Sequence, residues 1–294
     1  MLTGIAHLQM HVRDLAACRR IYGGQLDLQE LASAVDAHGR GVSMFATGAS
    51  VLELIEDPDA VVSNQPSGER KEFEDVPGSV GHWGFYVLDN DEAFVALKGF
   101  LDSNARATTD GPEEQSIDHG YMQRTLLQFD DPDGYIIQIS DVIDPREKRK
   151  ARRARKRALA QAGGAAGLLR GFDHLSIECS DIDATGELFG RKLAMQEVDR
   201  RTTGNGPMVV FAVGITDLEI SQSATATGQR LGPGAVISLG FWTDDVEQAY
   251  HALKQDGVDV GPPPAPISPV AGMSRRAFTF AGLDGLRLEI AQRA

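Results

Sequence analysis

The sequence predicts an α+β protein of four βαβββ units arranged in two tandem domains, with mixed sheets curved into cups. Two internal echoes support this. Residues 4–30, GIAHLQMHVRDLAACRRIYGGQLDLQE, return as GFDHLSIECSDIDATGELFGRKLAMQE at 171–197. At a constant offset His7 falls on His174, Asp14 on Asp181, Tyr22 on Phe189 and Gly23 on Gly190. A second pair of segments aligns Gly84 with Gly240, Phe85 with Phe241 and Leu97-Lys98 with Leu253-Lys254. Matches that run through strand-like and helix-like patterns mark a repeated structural unit.

Taken in order, Ile5 to Val12 alternate polar and apolar, the period of a half-buried strand. Asp14 suits an N-cap, and Leu15, Cys18, Ile21 and Tyr22 form one helical face that ends at Gly23-Gly24. Short strands follow at Leu26–Leu31, Gly41–Thr47 and Val51–Ile55. A polar loop, 57–78, leads to a second unit with a strand at HWGFYVLDND and a helix over Asp91–Leu101. Two further strands, Met122–Phe129 and Tyr135–Ser140, meet at Asp131-Pro132-Asp133-Gly134, which is strong turn chemistry. The third unit runs from Gly171 to about Gln222, with a hairpin turn at Gly204 to Gly206. The fourth begins at VISLGFWTDDVEQAYHALK and ends at GLDGLRLEIAQ. The expected domains are 1–143, built from units 1–56 and 79–143, and 170–294, built from units 170–222 and 234–294, joined by a basic linker helix at 144–169.

Composition narrows the function classes. A hydrophobic content of 42% suits a folded core, and no stretch approaches the roughly 20 apolar residues of a membrane span. With no basic and apolar leader at the start, the expected location is the cytoplasm. Cys18 and Cys179 read as buried reduced thiols rather than a disulfide. The net charge is −13, yet residues 146–157 hold nine of the 29 Lys and Arg residues. The acidic remainder argues against nucleic-acid binding, and the basic run reads as a solvated linker. The expected partner is a small-molecule substrate, with no membrane and no nucleic acid; a homodimer is left open.

Each unit's first strand offers one residue at an equivalent place: His7, His82, His174 and Ser238. Each last strand offers Glu53, Gln138, Glu219 and Glu289. Each is followed by a large apolar residue, so alternation turns the polar side chains to the face opposite the helices. Imidazoles and carboxylates repeated across a concave sheet make a metal-site geometry. The donor set suits Fe(II) first, with Mn(II), Ni(II), Co(II) or Zn(II) as alternatives.

The repeated units, the first-strand His, the helix DLAACRRIYG and the ending DPDGYIIQ resemble the vicinal oxygen chelate superfamily. This group includes glyoxalase I, bleomycin-binding proteins and type I extradiol dioxygenases. The resemblance implies that two units form a cup holding one divalent metal, with ligands from first and last strands. Sequential pairing of units, favoured by short connections, gives His7, Glu53, His82 and Gln138 as ligands, with Glu53 also as a proton-transfer base. A weaker second set is His174, Glu219 and Glu289. Pairing unit one with four and two with three gives His82, Gln138, His174 and Glu219 instead, and the sequence does not choose between the two. Ile117-Asp118-His119, Leu127-Gln128, the DPDG turn and Gln138 resemble the extradiol dioxygenase signature, which makes His119 the acid/base for a catechol proton. The chain departs from that signature at Gln128 and Gln138, where the family has Tyr and Glu. His11, Tyr121 and Arg124 are candidate substrate contacts. The implied function is a metal-dependent enzyme that chelates neighbouring oxygens of a small, aromatic substrate, with extradiol-type ring cleavage first. The alternatives are a glyoxalase-like isomerase or lyase, and a metal-free binding protein of the bleomycin-resistance type.

Overall fold

In the computed structural model the described residues are 2–59, 80–87, 90–103, 111, 113–116, 123–143, 169–203, 206–222, 236–270 and 273–293. They form the expected α+β arrangement of four βαβββ units. Unit one comprises β1 (Leu2–Val12), a helix, β2 (Glu30–Val35), β3 (Gly41–Thr47) and β4 (Ser50–Glu56). Unit two comprises β5 (Val80–Tyr86), the helix Asn90–Leu101, β6 (Glu113–Ser116), β7 (Gln123–Asp130) and β8 (Ile136–Ile143). Unit three comprises β9 (Phe172–Cys179), a helix, β10 (Gln196–Thr203), β11 (Gly206–Val213) and β12 (Thr216–Gln222). Unit four comprises β13 (Val236–Thr243), the helix Val246–Gln255, β14 (Ala265–Val270), β15 (Met273–Ala281) and β16 (Arg287–Arg293). The linker segment 144–168 lies outside the described residues. Among the described residues no helix is long and apolar enough to cross a membrane.

The helices of units one and three share an irregularity. Leu15–Arg19 opens on Asp14, whose side chain accepts from Ala17 N, and then widens into a π-helical turn over Arg20–Gln25. Unit three repeats this with Ile182–Gly186, capped by Asp181, and a π turn over Glu187–Lys192. The helix therefore passes through Gly23-Gly24 rather than ending there. Gly23 serves close packing: a Cβ on it would sit 3.3 Å from Cε1 of Phe45, and one on Gly190 would sit 3.1 Å from Cε1 of Phe211. The expected strand at Leu26–Leu31 begins only at Glu30, because Leu26 N and Leu28 N donate to Ile21 O and Tyr22 O, closing the wide turn.

The sixteen strands form two eight-stranded sheets, ordered β14-β15-β16-β13-β1-β4-β3-β2 and β10-β11-β12-β9-β5-β8-β7-β6. The first sheet joins unit one to unit four and the second joins unit three to unit two. This corrects the sequential pairing, since units one and two, expected to share the domain 1–143, contribute to different sheets. They do pack together, but through a turn against a helix rather than edge to edge. Arg13 N and Nε donate to the Asp133 carboxylate, each at 3.0 Å, and the buried Tyr22 hydroxyl donates to Asp131 Oδ2 at 3.0 Å. The DPDG turn is thus both a hairpin and a clamp on the neighbouring unit. Asp131 Oδ1 meanwhile accepts from Asp133 N and Tyr135 N at 2.9 Å each.

Burial pushes the Asp131 carboxyl up to about 7, while the Tyr135 N–H and the Tyr22 hydroxyl oppose that rise. Tyr22→Phe should cost roughly 1–3 kcal/mol, because it leaves a buried oxygen short of its donor. Urea unfolding reads this directly, and a variant as stable as the parent would show that the clamp contributes nothing.

The helix-facing sides of both sheets close on one continuous core. Leu8, Leu52, Phe241 and Ile290 of the first sheet join Trp83, Leu175, Ile137 and Ile220 of the second. Tyr22 stacks on Trp83 with ring centroids 6.5 Å apart, and Trp83 meets Tyr135 at 5.4 Å, carrying the core from the unit-one helix into the second sheet. The opposite faces carry the first-strand histidines and the last-strand carboxylates, beside smaller apolar clusters such as Val42, Met44, Val51 and Ile55. Both cysteines are buried and free, and burial raises the Cys179 thiol to about 11.

Candidate metal centre

The second sheet gathers His82 from β5, His174 from β9 and Glu219 from β12. One donor atom from each lies within 4.8 Å of the others. His82 and Glu219 share a row of the sheet but stand two strands apart, with Ser176 between them, since Ser176 pairs with both. The small serine leaves room for the two side chains to meet, and His82 Nε2 lies 3.7 Å from Glu219 Oε2. The His174 ring approaches edge-on, its centroid 4.9 Å from that of His82.

Two local devices place the His174 ring. The first is Gly84, its cross-strand partner on β5. A Cβ there would sit 2.6 Å from His174 Nδ1, so the ring occupies the space that any other residue would fill. The second is a register shift. Gly84 pairs with His174 but Phe85 pairs with Phe172, which leaves Asp173 as an extra residue on β9. Such bulges re-aim side chains. Here the Asp173 carboxylate meets His174 Nδ1 at 2.8 Å, with both residues buried. A carboxylate on one ring nitrogen fixes the tautomer and leaves the other nitrogen as the lone-pair donor. Gln138 pairs with Gly84 from the other side and donates through Nε2 to Gln128 Oε1 at 3.4 Å, so a neutral amide pair borders the three donors.

The first sheet carries the same rows with different occupants. His7 lies over Gly240, where a Cβ would sit 2.5 Å from its Cε1. Ser238 stands where the second sheet has His82, and His7 Nε2 is 3.3 Å from its hydroxyl. Gln9 stands between Glu53 and Ser238, in the place of the smaller Ser176, and hydrogen-bonds Glu53. Glu289 accepts from Arg275 Nε at 2.9 Å and lies 3.6 Å from His7 Nδ1. A guanidinium therefore already neutralises the carboxylate that would face a cation, and Ala6 stands where Asp173 holds the other histidine. Burial raises Glu53.

Burial also lowers His7 to about 4, against the opposing pull of Glu289. Between about pH 6.5 and 4 the unfolded chain then binds more protons than the folded one, so stability rises with pH across that window and is lost on acidification. The contribution should reach roughly 3 kcal/mol. Chemical unfolding of the metal-free chain at pH 7 and pH 4.5, compared with His7→Gln, isolates it; equal pH slopes in the two proteins would rule it out.

Several expected site residues therefore separate. The set His7, Glu53, His82 and Gln138 is divided, the first two on one sheet and the last two on the other, with the shared core between. The set His174, Glu219 and Glu289 is divided in the same way. Glu53, expected as ligand and base, is held by Gln9 in the first sheet. His11 also lies in the first sheet, between Arg40 Nη1 at 3.2 Å and Asp57 Oδ2 at 3.7 Å, which fits an ion-pair cluster at the strand end. His119 and Tyr121 fall outside the described residues. Arg124 lies on β7, paired with Val142 of β8. The alternative pairing of units supplies the residues that do converge. Asp173 had no signal in the repeat beyond its mismatch with Ala6, since alternation alone would point it away from His174.

Two curved sheets of paired βαβββ units, one bringing two histidines and a carboxylate together, define a class of cup-shaped folds with a candidate metal site. The chain belongs to the Glyoxalase/Bleomycin resistance protein/Dioxygenase superfamily, whose model matches residues 4–139 and 171–290. Its fold is similar to that of glyoxalase I from Zea mays, with TM-score 0.61 and 15% identity over 98% of this chain and 92% of that one. It is also similar to a candidate dioxygenase from Bacillus subtilis, with TM-score 0.67 and 18% identity over 99% of this chain and 85% of that one. At such identities the likeness establishes the fold. No curated protein matches the chain.

Proposed function

We propose that the chain is a metal-dependent enzyme whose second sheet holds one divalent ion on His82, His174 and Glu219, and that it acts on a small substrate through two neighbouring oxygens. The observation that supports this most is the convergence of two imidazoles and one carboxylate within 4.8 Å. The donor set fits a metal in three respects: Asp173 orients one imidazole, Gly84 makes room for its ring, and Ser176 lets the other two ligands meet. Two neutral imidazoles and one carboxylate leave a divalent ion with a net positive charge and open positions, which suits Fe(II) and an anionic, chelating substrate. Bound there, the metal would supply Lewis acidity to both substrate oxygens and, as Fe(II), the redox capacity to activate O2.

The protein's own part is to position and to manage protons. Asp173 keeps His174 in one tautomer, and the Gln138–Gln128 amide pair offers neutral hydrogen bonds beside the ligands. A proton leaving a catechol oxygen needs a nearby acceptor, the role proposed for His119. On these grounds extradiol-type ring cleavage ranks first. Glyoxalase-like isomerisation ranks second, since Glu219 would have to serve both as ligand and as base.

Elemental analysis of untagged protein after anaerobic reconstitution with Fe(II) is expected to give about one equivalent per chain, because Arg275 occupies the other cup. Binding of no metal would leave a metal-free binding protein. With metal present, O2 uptake with a panel of catechols separates oxygenase from isomerase.

A further inference from the structure

At the seam between the two sheets lies a cavity of about 410 Å³ that shares no lining residue with the metal centre and shares Trp242 with the cup of the first sheet. That volume falls at the lower end of the range for small-molecule sites. Its walls follow the internal repeat. Ser50 Oγ donates to Ile5 O at 2.7 Å, and Thr216 Oγ1 makes the equivalent bond to Phe172 O at 3.0 Å. Trp242 Nε1 donates to Ala49 O at 3.0 Å, as the Tyr86 hydroxyl does to Ile215 O at 2.9 Å. The repeat changes charge where unit one has Thr3 and unit three has Arg170.

Arg170 is the anomaly. Its backbone is pinned, since Arg170 N donates to Tyr86 O and Tyr86 N donates to Gly171 O, both at 2.8 Å. Its side chain is only partly exposed, and the Nε is fully buried with no hydrogen-bond partner. No carboxylate pairs with it among the described residues. The Thr47 hydroxyl, on another wall and 1% exposed, is likewise buried without a partner. Arg293 adds a second guanidinium, stacked 4.8 Å over Trp242, against the single carboxylate of Asp244. A net cationic cavity stands out in a chain of net charge −13 that carries 42 acidic residues. Burying part of a guanidinium without a counter-charge is unfavourable, and an oxyanion relieves it with paired, charge-assisted hydrogen bonds.

We propose that this cavity is a second ligand site, separate from the metal centre, that binds a small molecule through a carboxylate or phosphate on Arg170, with its body against Trp242. Thr47 donates or accepts the hydrogen bond that its buried hydroxyl lacks. The site needs no metal and is independent of the reaction proposed for the metal centre.

Calorimetric titration of the full chain with benzoate and with inorganic phosphate, at fixed ionic strength in chloride, tests it and distinguishes the two anion sources. Saturable binding of at least one is expected, weakened about 10-fold or more in Arg170→Gln. Arg287→Gln, an arginine outside the cavity, should bind as the parent does. Thr47→Val, which keeps shape and removes the hydroxyl, should weaken binding several-fold and covers the case in which Arg170→Gln misfolds. No saturable binding of either anion, or equal binding by the parent, Arg170→Gln and Thr47→Val, overturns the proposal.

Discussion

Glu219→Gln is expected to lower metal affinity by about 100-fold or more. Partners outside the ligand set already account for 10–100-fold in metal sites, and this change removes the one carboxylate ligand. With Gln138 already neutral, the cup would then present two imidazoles and two amides, a poor set for a hard divalent ion. The fold should survive, because the carboxylate meets His82 at 3.7 Å rather than supporting the core, and the replacement keeps its shape. Equilibrium dialysis against a chelator, followed by elemental analysis, gives the affinity. His7→Ala is the matched control and should retain the full equivalent. Loss of metal in His7→Ala with retention in Glu219→Gln would move the centre to the first sheet and overturn the assignment.

Gly84→Ala is expected to act on the same centre from the opposite side. The added methyl would lie 2.6 Å from Nδ1 of His174, a side chain with no exposed surface into which to retreat. Either the ring turns off Asp173 or β5 moves away from β9, and overpacking of this kind costs roughly 1–3 kcal/mol. Metal affinity should fall by about 10-fold or more, since the change breaks the second contact that orients the ligand. Thermal unfolding and metal content together read the outcome. Normal metal binding at unchanged stability would show that the glycine is dispensable and that the ring has another resting place.

Much of this was visible in one dimension. The offset between His7 and His174 exposed the repeat, strand alternation placed each histidine and last-strand residue on the face away from the helices, and the DPDG turn was read from its residue types. Repeated glycines were visible too, Gly84 on Gly240 and Gly23 on Gly190, but their purpose was not. Each gives way to a ring from a distant element, and no local pattern reports a distant ring. Asp173 was illegible for a related reason. Period-two alternation assigns neighbours to opposite faces, and only the bulge against β5 turns Asp173 and His174 the same way.

The sequence by itself determined the unit, its fourfold repetition, the α+β class and which residues could serve as ligands. Only the tertiary structure decided which of them meet. All four first strands carry the same alternation, and both histidines that sit over a glycine would fit either glycine strand, so β1 could in principle border β5 or β13. Local propensity is the same for both pairings. The difference arises from contacts distant in sequence. The DPDG turn clamps the helix of unit one across the core through Arg13 and Tyr22, while β5 lies beside β9. That choice separates His7 from His82 and brings His174 and Glu219 to it.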